Sequence, residues 1–217
     1  MKIFRQIHTG NKKLILFFAG WSASPALFTH LEVPSDFDLA ICYDYRNFDF
    51  DLDLSPYDDL KVVAWSLGVW VAEKMIFEHP ACYTDTIAIN GTPTPIDDRL
   101  GIPVDIFDAT LRNITPDGLT HFNRRMFGSR SVMEMFKEVE TRGVDELEDE
   151  LRHLADSIRR YRSNVGICWK KAILGTDDKI FPFGNMFCYW TNMSEIQTIE
   201  APHYPFLVWK RWNEIIG

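Results

Sequence analysis

The chain has 217 residues, 46% of them hydrophobic and 25% charged, with a formal net charge of −8 at pH 7. That length suits one domain with room for an inserted subdomain, and the composition excludes a disordered, repetitive or collagen-like chain. The acidic balance argues against a general nucleic-acid binder, because phosphate contacts need clustered Lys and Arg. No apolar run approaches the roughly 20 residues of a membrane-crossing helix, so no membrane partner is expected.

In chain order, residues 1–7 are short and mixed in polarity, and Thr9-Gly10-Asn11 supplies turn chemistry. Lys12 and Lys13 followed by apolar residues 14–21 have the outline of a signal peptide. The run is short and follows a strand and turn, so it reads as a core strand and the protein as cytoplasmic. Continuous apolar runs at residues 14–19, 39–43, 62–65, 86–89 and 172–174, with a weaker one at 196–199, suit strands buried on both faces of a parallel sheet. A helix over residues 67–78 would bury Leu67, Trp70, Val71, Met75 and Ile76 on one side. Strands alternating with helices predict an α/β domain with a mostly parallel sheet.

From residue 99 to 165 the pattern becomes helical throughout. Helices are predicted over 106–113, after a Thr115-Pro116 start, over 132–141 with Ser131 as cap, and from Val144 to Tyr161 on a 3-and-4 spacing. We divide the chain into a core of residues 1–98 and 166–217 and an inserted helical cap of residues 99–165. Charge follows this division. Residues 1–98 carry 7 basic and 14 acidic residues, whereas 99–165 carry 11 and 12 and 166–217 carry 5 and 5. The cap is therefore near neutral and locally rich in arginine. Cys42, Cys82, Cys168 and Cys188 form no metal-spaced pair and read as buried free thiols in a reducing compartment. Neither a metal nor a cofactor is expected.

The sharpest local signal is Val62-Val63-Ala64-Trp65-Ser66-Leu67-Gly68, a buried strand running through a serine into a helix. This is the context of a nucleophile elbow, with Ala64 standing where a glycine is usual; the plainer alternative is a serine capping a core helix. A serine hydroxyl needs a base, and the base an orienting acid. Gly175-Thr176-Asp177-Asp178 follows a buried strand, and His203 follows the last one, so the order is Ser, Asp, His as in α/β-hydrolases. Asp177 and Asp178 compete for the acid role, and the spacing from Gly175 to Pro182 favours Asp178. The other five of the six histidines read as surface or packing residues. Backbone N–H groups of Leu67 and of Trp21, in Ala19-Gly20-Trp21-Ser22, are the candidate oxyanion hole.

Ala19-Gly20-Trp21, Ala64-Trp65-Ser66-Leu67-Gly68, Gly175 with Asp178 and Pro182, Asn90-Gly91-Thr92-Pro93 and His203-Tyr204-Pro205-Phe206 together resemble the BioG family, compact α/β-hydrolases of biotin synthesis. The resemblance spans essentially the whole chain. It implies an α/β-hydrolase fold and a serine esterase removing the methyl ester from pimeloyl-acyl-carrier-protein methyl ester through an acyl-enzyme on Ser66. The implied partner is the acidic acyl carrier protein, for which Arg124 and Arg125 are the preferred docking residues. Arg130 and the group Arg159, Arg160 and Arg162 are further candidates, although that group also fits the end of a helix whose dipole favours cations. Phe122, Met126, Phe127, Met133, Met135 and Phe136 read as core packing before acyl-channel lining. Two alternatives stay open: an esterase or thioesterase of another small acyl substrate, and a non-catalytic binding protein of the same fold.

Overall fold

In the computed structural model, residues 1–8, 10–79, 81, 83–139, 142–161 and 167–217 are described. Thr9, Cys82, Thr141, Arg162 and the expected boundary between residues 165 and 166 lie outside them. Strands β1 (Lys2–Gln6), β2 (Lys13–Phe18), β3 (Phe37–Tyr43), β4 (Asp59–Trp65), β5 (Tyr83–Ile89), β6 (Lys171–Gly175) and β7 (Glu195–Ile199) form one seven-stranded sheet. Its order is β1-β3-β2-β4-β5-β6-β7, with only β1 antiparallel to its neighbour. Residues 14–18, which have the outline of a signal segment, are the fully buried part of β2 between β3 and β4.

The helices are α1 (Gly68–Glu78), α2 (Val104–Arg112), α3 (Pro116–Phe127), α4 (Arg130–Met135), α5 (Val144–Arg160), α6 (Phe183–Trp190) and α7 (Asn213–Ile216). Helices α2 to α5 fall between β5 and β6 along the chain. The Thr115 start is built as expected: its hydroxyl accepts the Gly118 N–H at 3.0 Å, with Pro116 in the first turn. The next helix differs. Ser129, not Ser131, caps α4, accepting the Val132 N–H at 3.2 Å, and the helix stops at Met135. Gly128 at φ 74° ends α3 in a left-handed turn, and this places Ser129 at the next start.

Strict alternation of strand and helix also fails on one side of the sheet. Only the 3-10 turn Pro25–Phe28 lies between β2 and β3, and residues 44–58 join β3 to β4 without a helix. Proline and closely spaced aspartates there favour turns over a continuous helical ladder. Conversely, α6 carries only a short apolar spacing, yet it buries Met186 and Trp190 against the end of the sheet. Two cysteine expectations are corrected: Cys42 is buried, but Cys168 and Cys188 are exposed free thiols. Cys168 precedes β6 in irregular chain, and Cys188 faces outward on α6, away from the Met186 and Trp190 side.

Aromatic rings cement the space beneath the sheet's C-terminal edge. Phe17, Phe28 and Phe206 meet edge-on at 4.8–5.6 Å, and Trp212 joins Phe17 at 5.1 Å. A second tie is ionic. Asp44, just after β3, accepts Arg46 at 2.7 Å and forms ion pairs with Lys2 at 3.0 Å and Arg142 at 3.1 Å, joining the edge strand, its loop and the approach to α5. Burial opposes the Asp44 charge, but the hydrogen bonds from Arg46 and Lys2 and the Arg142 charge outweigh it, and the carboxyl titrates well below its ordinary range. A depressed carboxyl stabilises the fold above its unfolded value and loses that contribution as the solution becomes more acid. Asp44→Asn should therefore cost about 3 kcal/mol or more at pH 7. Urea unfolding of both proteins should show the difference shrinking below about pH 3.8, the ordinary aspartate value.

Candidate active site

The end of β4 delivers Trp65 into the core and Ser66 into a left-handed turn at φ 59°, a conformation that non-glycine residues adopt at a cost of roughly 1–3 kcal/mol. The turn is held open by its neighbours. The Ser66 N–H donates to the Ile89 carbonyl at 3.0 Å, and the Ser66 carbonyl accepts from Val69 at 3.1 Å as α1 begins. Gly68 lets α1 pass directly over the end of β2: a Cβ there would sit 2.3 Å from the Phe18 carbonyl oxygen and 2.4 Å from that of Ala19. Ala64, fully buried, is accommodated without the usual glycine.

Three residues far apart in sequence converge on this turn. His203 Nε2 lies 2.9 Å from Ser66 Oγ, and His203 Nδ1 lies 2.7 Å from Asp178 Oδ2. All three are buried. The other Asp178 oxygen accepts N–H groups from Ile180 at 2.7 Å and Phe181 at 2.9 Å, which leaves Oδ2 aimed at the imidazole. Asp177 is exposed and lines a surface groove instead. Phe181 lies parallel to the imidazole at 5.9 Å, and the Trp65 indole faces it at 5.3 Å.

Two residues quoted with the motifs but given no role there fix His203 from behind. The Trp65 indole N–H donates to the His203 carbonyl at 2.8 Å, and Asn90 Nδ2 donates to the same oxygen at 3.0 Å. Asn90 also donates to the Pro202 carbonyl and accepts the Gly175 N–H at 2.6 Å, so one amide ties the acid loop to the histidine loop. Its own backbone is left-handed, φ 44°, at the end of β5. The available signal was positional: an Asn-Gly turn at the end of a core strand, in a sheet whose neighbouring strand ends carry the candidate residues.

Trp21 and Leu67 stand at the ends of β2 and β4, which are hydrogen-bonded neighbours. Among the described residues neither backbone N–H is bonded to a protein acceptor. Ser66, Leu67 and Trp21 line one wall of a narrow apolar cleft, closed by Ile102, Phe107 and Phe122 and by Ile180. Arg125 reaches the same cleft and is half-buried, whereas Arg124 beside it is exposed. Arg159 pairs with Asp108, and Arg160 with Asp156 at 3.7 Å. Arg130 is exposed at the start of α4. Of the cap side chains, Phe122 enters the cleft, Met126, Phe127, Met133 and Phe136 line a second cavity, and Met135 is exposed. No group of three or more metal-ligating side chains is found among the described residues.

A mostly parallel sheet, a left-handed serine turn between strand and helix, and the serine–histidine–aspartate contact make this an α/β-hydrolase, and the family match below places it among the carboxylic ester hydrolases. An esterase from Exiguobacterium antarcticum has the same fold at TM-score 0.66, with 15% identity over 95% of this chain and 90% of that one. The chain belongs to the BioG family, described as pimeloyl-ACP methyl esterase, which it matches over residues 1–215. The crystal structure of BioG from Haemophilus influenzae superposes at TM-score 0.95, with 37% identity and 100% of each chain covered. A malonyl-[acyl-carrier protein] O-methyltransferase from Bacteroides fragilis is 43% identical over 197 residues, 89% of this chain but only 40% of that protein.

Gly68→Ala tests the elbow directly. Forcing a methyl group against two backbone carbonyls should cost about 1–3 kcal/mol. Because those carbonyls lead into Gly20 and Trp21, ester hydrolysis should fall with it. Chemical denaturation and turnover of a methyl ester check the two effects.

Proposed function

We propose that this member of the BioG family hydrolyses the methyl ester of pimeloyl-acyl-carrier-protein methyl ester through Ser66, His203 and Asp178. The single observation that carries the assignment of roles is the continuous hydrogen-bonded line from Asp178 Oδ2 through the imidazole to Ser66 Oγ. His203 Nε2 takes the hydroxyl proton as Ser66 Oγ bonds to the ester carbonyl carbon. The carbonyl oxygen becomes an oxyanion, met by the backbone N–H groups of Trp21 and Leu67. The bond from carbon to methoxy oxygen then breaks, and His203 gives its proton to departing methanol. Water, deprotonated by the same imidazole, attacks the acyl-enzyme and releases the free carboxylate and Ser66. Asp178 stays ionised throughout, fixing the tautomer and stabilising the imidazolium.

The helices of residues 99–165 serve in this reading as a cap, with the apolar cleft taking the methylene chain. Two arginines support carrier docking over the remainder: Arg124 is exposed and Arg125 is half-buried at the cleft, and neither makes an ion pair among the described residues. Arg159 faces a carboxylate of α2 and Arg160 one of α5, so these two are less free for a carrier than Arg124 and Arg125. No helix among the described residues is long and apolar enough to cross a membrane. The free thiols of Cys42, Cys168 and Cys188 fit a reducing cytoplasm.

Ser66→Ala should abolish release of methanol from methyl pimeloyl-carrier protein, followed by mass, while the melting temperature stays close to that of the wild type. Near-normal turnover by this variant would sink the mechanism. Comparing carrier-bound methyl ester, free methyl ester and acyl thioester in the same assay separates this function from that of a general esterase or thioesterase. Arg124→Ala with Arg125→Ala should reduce kcat/KM on the carrier-bound ester by tenfold or more, and on the free ester far less. Equal losses on both would remove the docking assignment.

A further inference from the structure

Helix α5 is amphipathic, and its inward face is built from Leu147, Leu151, Leu154 and Ala155, yet a glutamate shares that face. Glu150 is fully buried. An ionised carboxylate in such a place is costly, and an apolar residue of similar size often serves stability as well or better. What distinguishes Glu150 is where its oxygens point. Oε1 accepts the Tyr45 N–H at 2.9 Å, and Oε2 accepts Arg142 at 2.5 Å and the Ser22 N–H at 3.4 Å.

Ser22 directly follows Trp21 and stands in the left-handed region at φ 67°, strained for a residue with a side chain. The same short loop is gripped at two more points. The Tyr45 hydroxyl lies 2.8 Å from both the Ala19 and Cys42 carbonyls and shares its one proton between them, and the Trp21 indole N–H donates to the Leu147 carbonyl, one turn before Glu150, at 2.9 Å. The Ala19 N–H still pairs with the Cys42 carbonyl as a continuation of the sheet. Beyond that pairing, the hydrogen bonds tying residues 19–22 to other elements among the described residues come from α5 or from Tyr45, which Glu150 itself holds.

We propose that Glu150 is a positioning residue for the oxyanion hole: by bonding the Ser22 N–H and seating Tyr45, it keeps residues 19–22 in the turn that aims the Trp21 N–H beside Ser66. The seating of α5 on the core thereby sets the rate of the chemical step. This inference rests on the reading of Trp21 as an oxyanion donor.

The test is steady-state kinetics of Glu150→Gln on carrier-bound and free methyl esters, with melting temperature followed alongside. Because complete loss of one oxyanion donor costs about 100-fold or more, a misaimed donor should lower kcat roughly tenfold. The loss should be the same on both substrates, with KM within about twofold. Glycine adopts a left-handed conformation without strain. Ser22→Gly added to Glu150→Gln should therefore restore much of the lost kcat, a rescue that a purely structural role for Glu150 does not provide. Should Glu150→Gln fail to fold, Glu150→Asp carries the same comparison, since it keeps the charge facing Arg142 but draws the carboxylate back from Ser22. Full kcat in the glutamate variant, a rise in KM alone, or a kcat loss that Ser22→Gly leaves unchanged would each overturn the role. Ser66→Ala run in parallel keeps the outcomes apart: a dead serine variant beside a fully active glutamate variant removes the positioning role and leaves the triad standing.

Discussion

Everything in the site depends on how the backbone of Ser66 is kept in its left-handed turn. The conformation is unfavourable locally, and it persists because neighbouring strand ends press on it from two sides. The ends of β2 and β5 bracket it, the first through the close passage of Gly68 over the Phe18 and Ala19 carbonyls, the second through the Ile89 carbonyl that takes the Ser66 N–H. Gly91 lies just as near the Ser66 carbonyl, with no space for a Cβ, which would fall 2.4 Å from that oxygen. The hydroxyl consequently stands at the rim of the sheet, and among the described residues the N–H of Leu67 has no backbone acceptor because α1 begins one residue later.

The rest of the machinery is brought to that point mainly by backbone-directed hydrogen bonds. Asp178 is oriented by two N–H groups, His203 by two donors on its carbonyl, and the Trp21 loop by a hydroxyl, a carboxylate and a helix carbonyl. Each loop is thus tied to a rigid element, so precision does not rely on the stiffness of the loops themselves. Asn90 and Glu150 act at corresponding levels of this arrangement, one joining the acid and base loops, the other joining the helical segment to the oxyanion side.

The strands were legible because they are buried on both faces and written as unbroken apolar runs, and Ser66, Asp178 and His203 because each stands where such a run ends. Choosing Asp178 over Asp177 rested on spacing, and the two differ in the structure as a buried acceptor of N–H groups and an exposed turn residue. What could not be read has a common character. Asn90, Trp65, Tyr45 and Glu150 act through partners 26 to 138 residues distant, and no local pattern encodes such pairings. The cap at Ser129 in place of Ser131 is a difference of another kind. Turn chemistry competes with weak periodicity there, and tertiary contacts decide the result.

The order of the elements also bears on how the chain acquires activity. Ser66 and His203 are 137 residues apart, and the histidine follows β7, the last strand in chain order and the outermost on that side of the sheet. In the proposed reading, Ser66 gains its base only in a chain whose sheet includes β7 paired with β6. Under the proposed mechanism, activity therefore requires the outermost strand on that side of the sheet as well as the elbow.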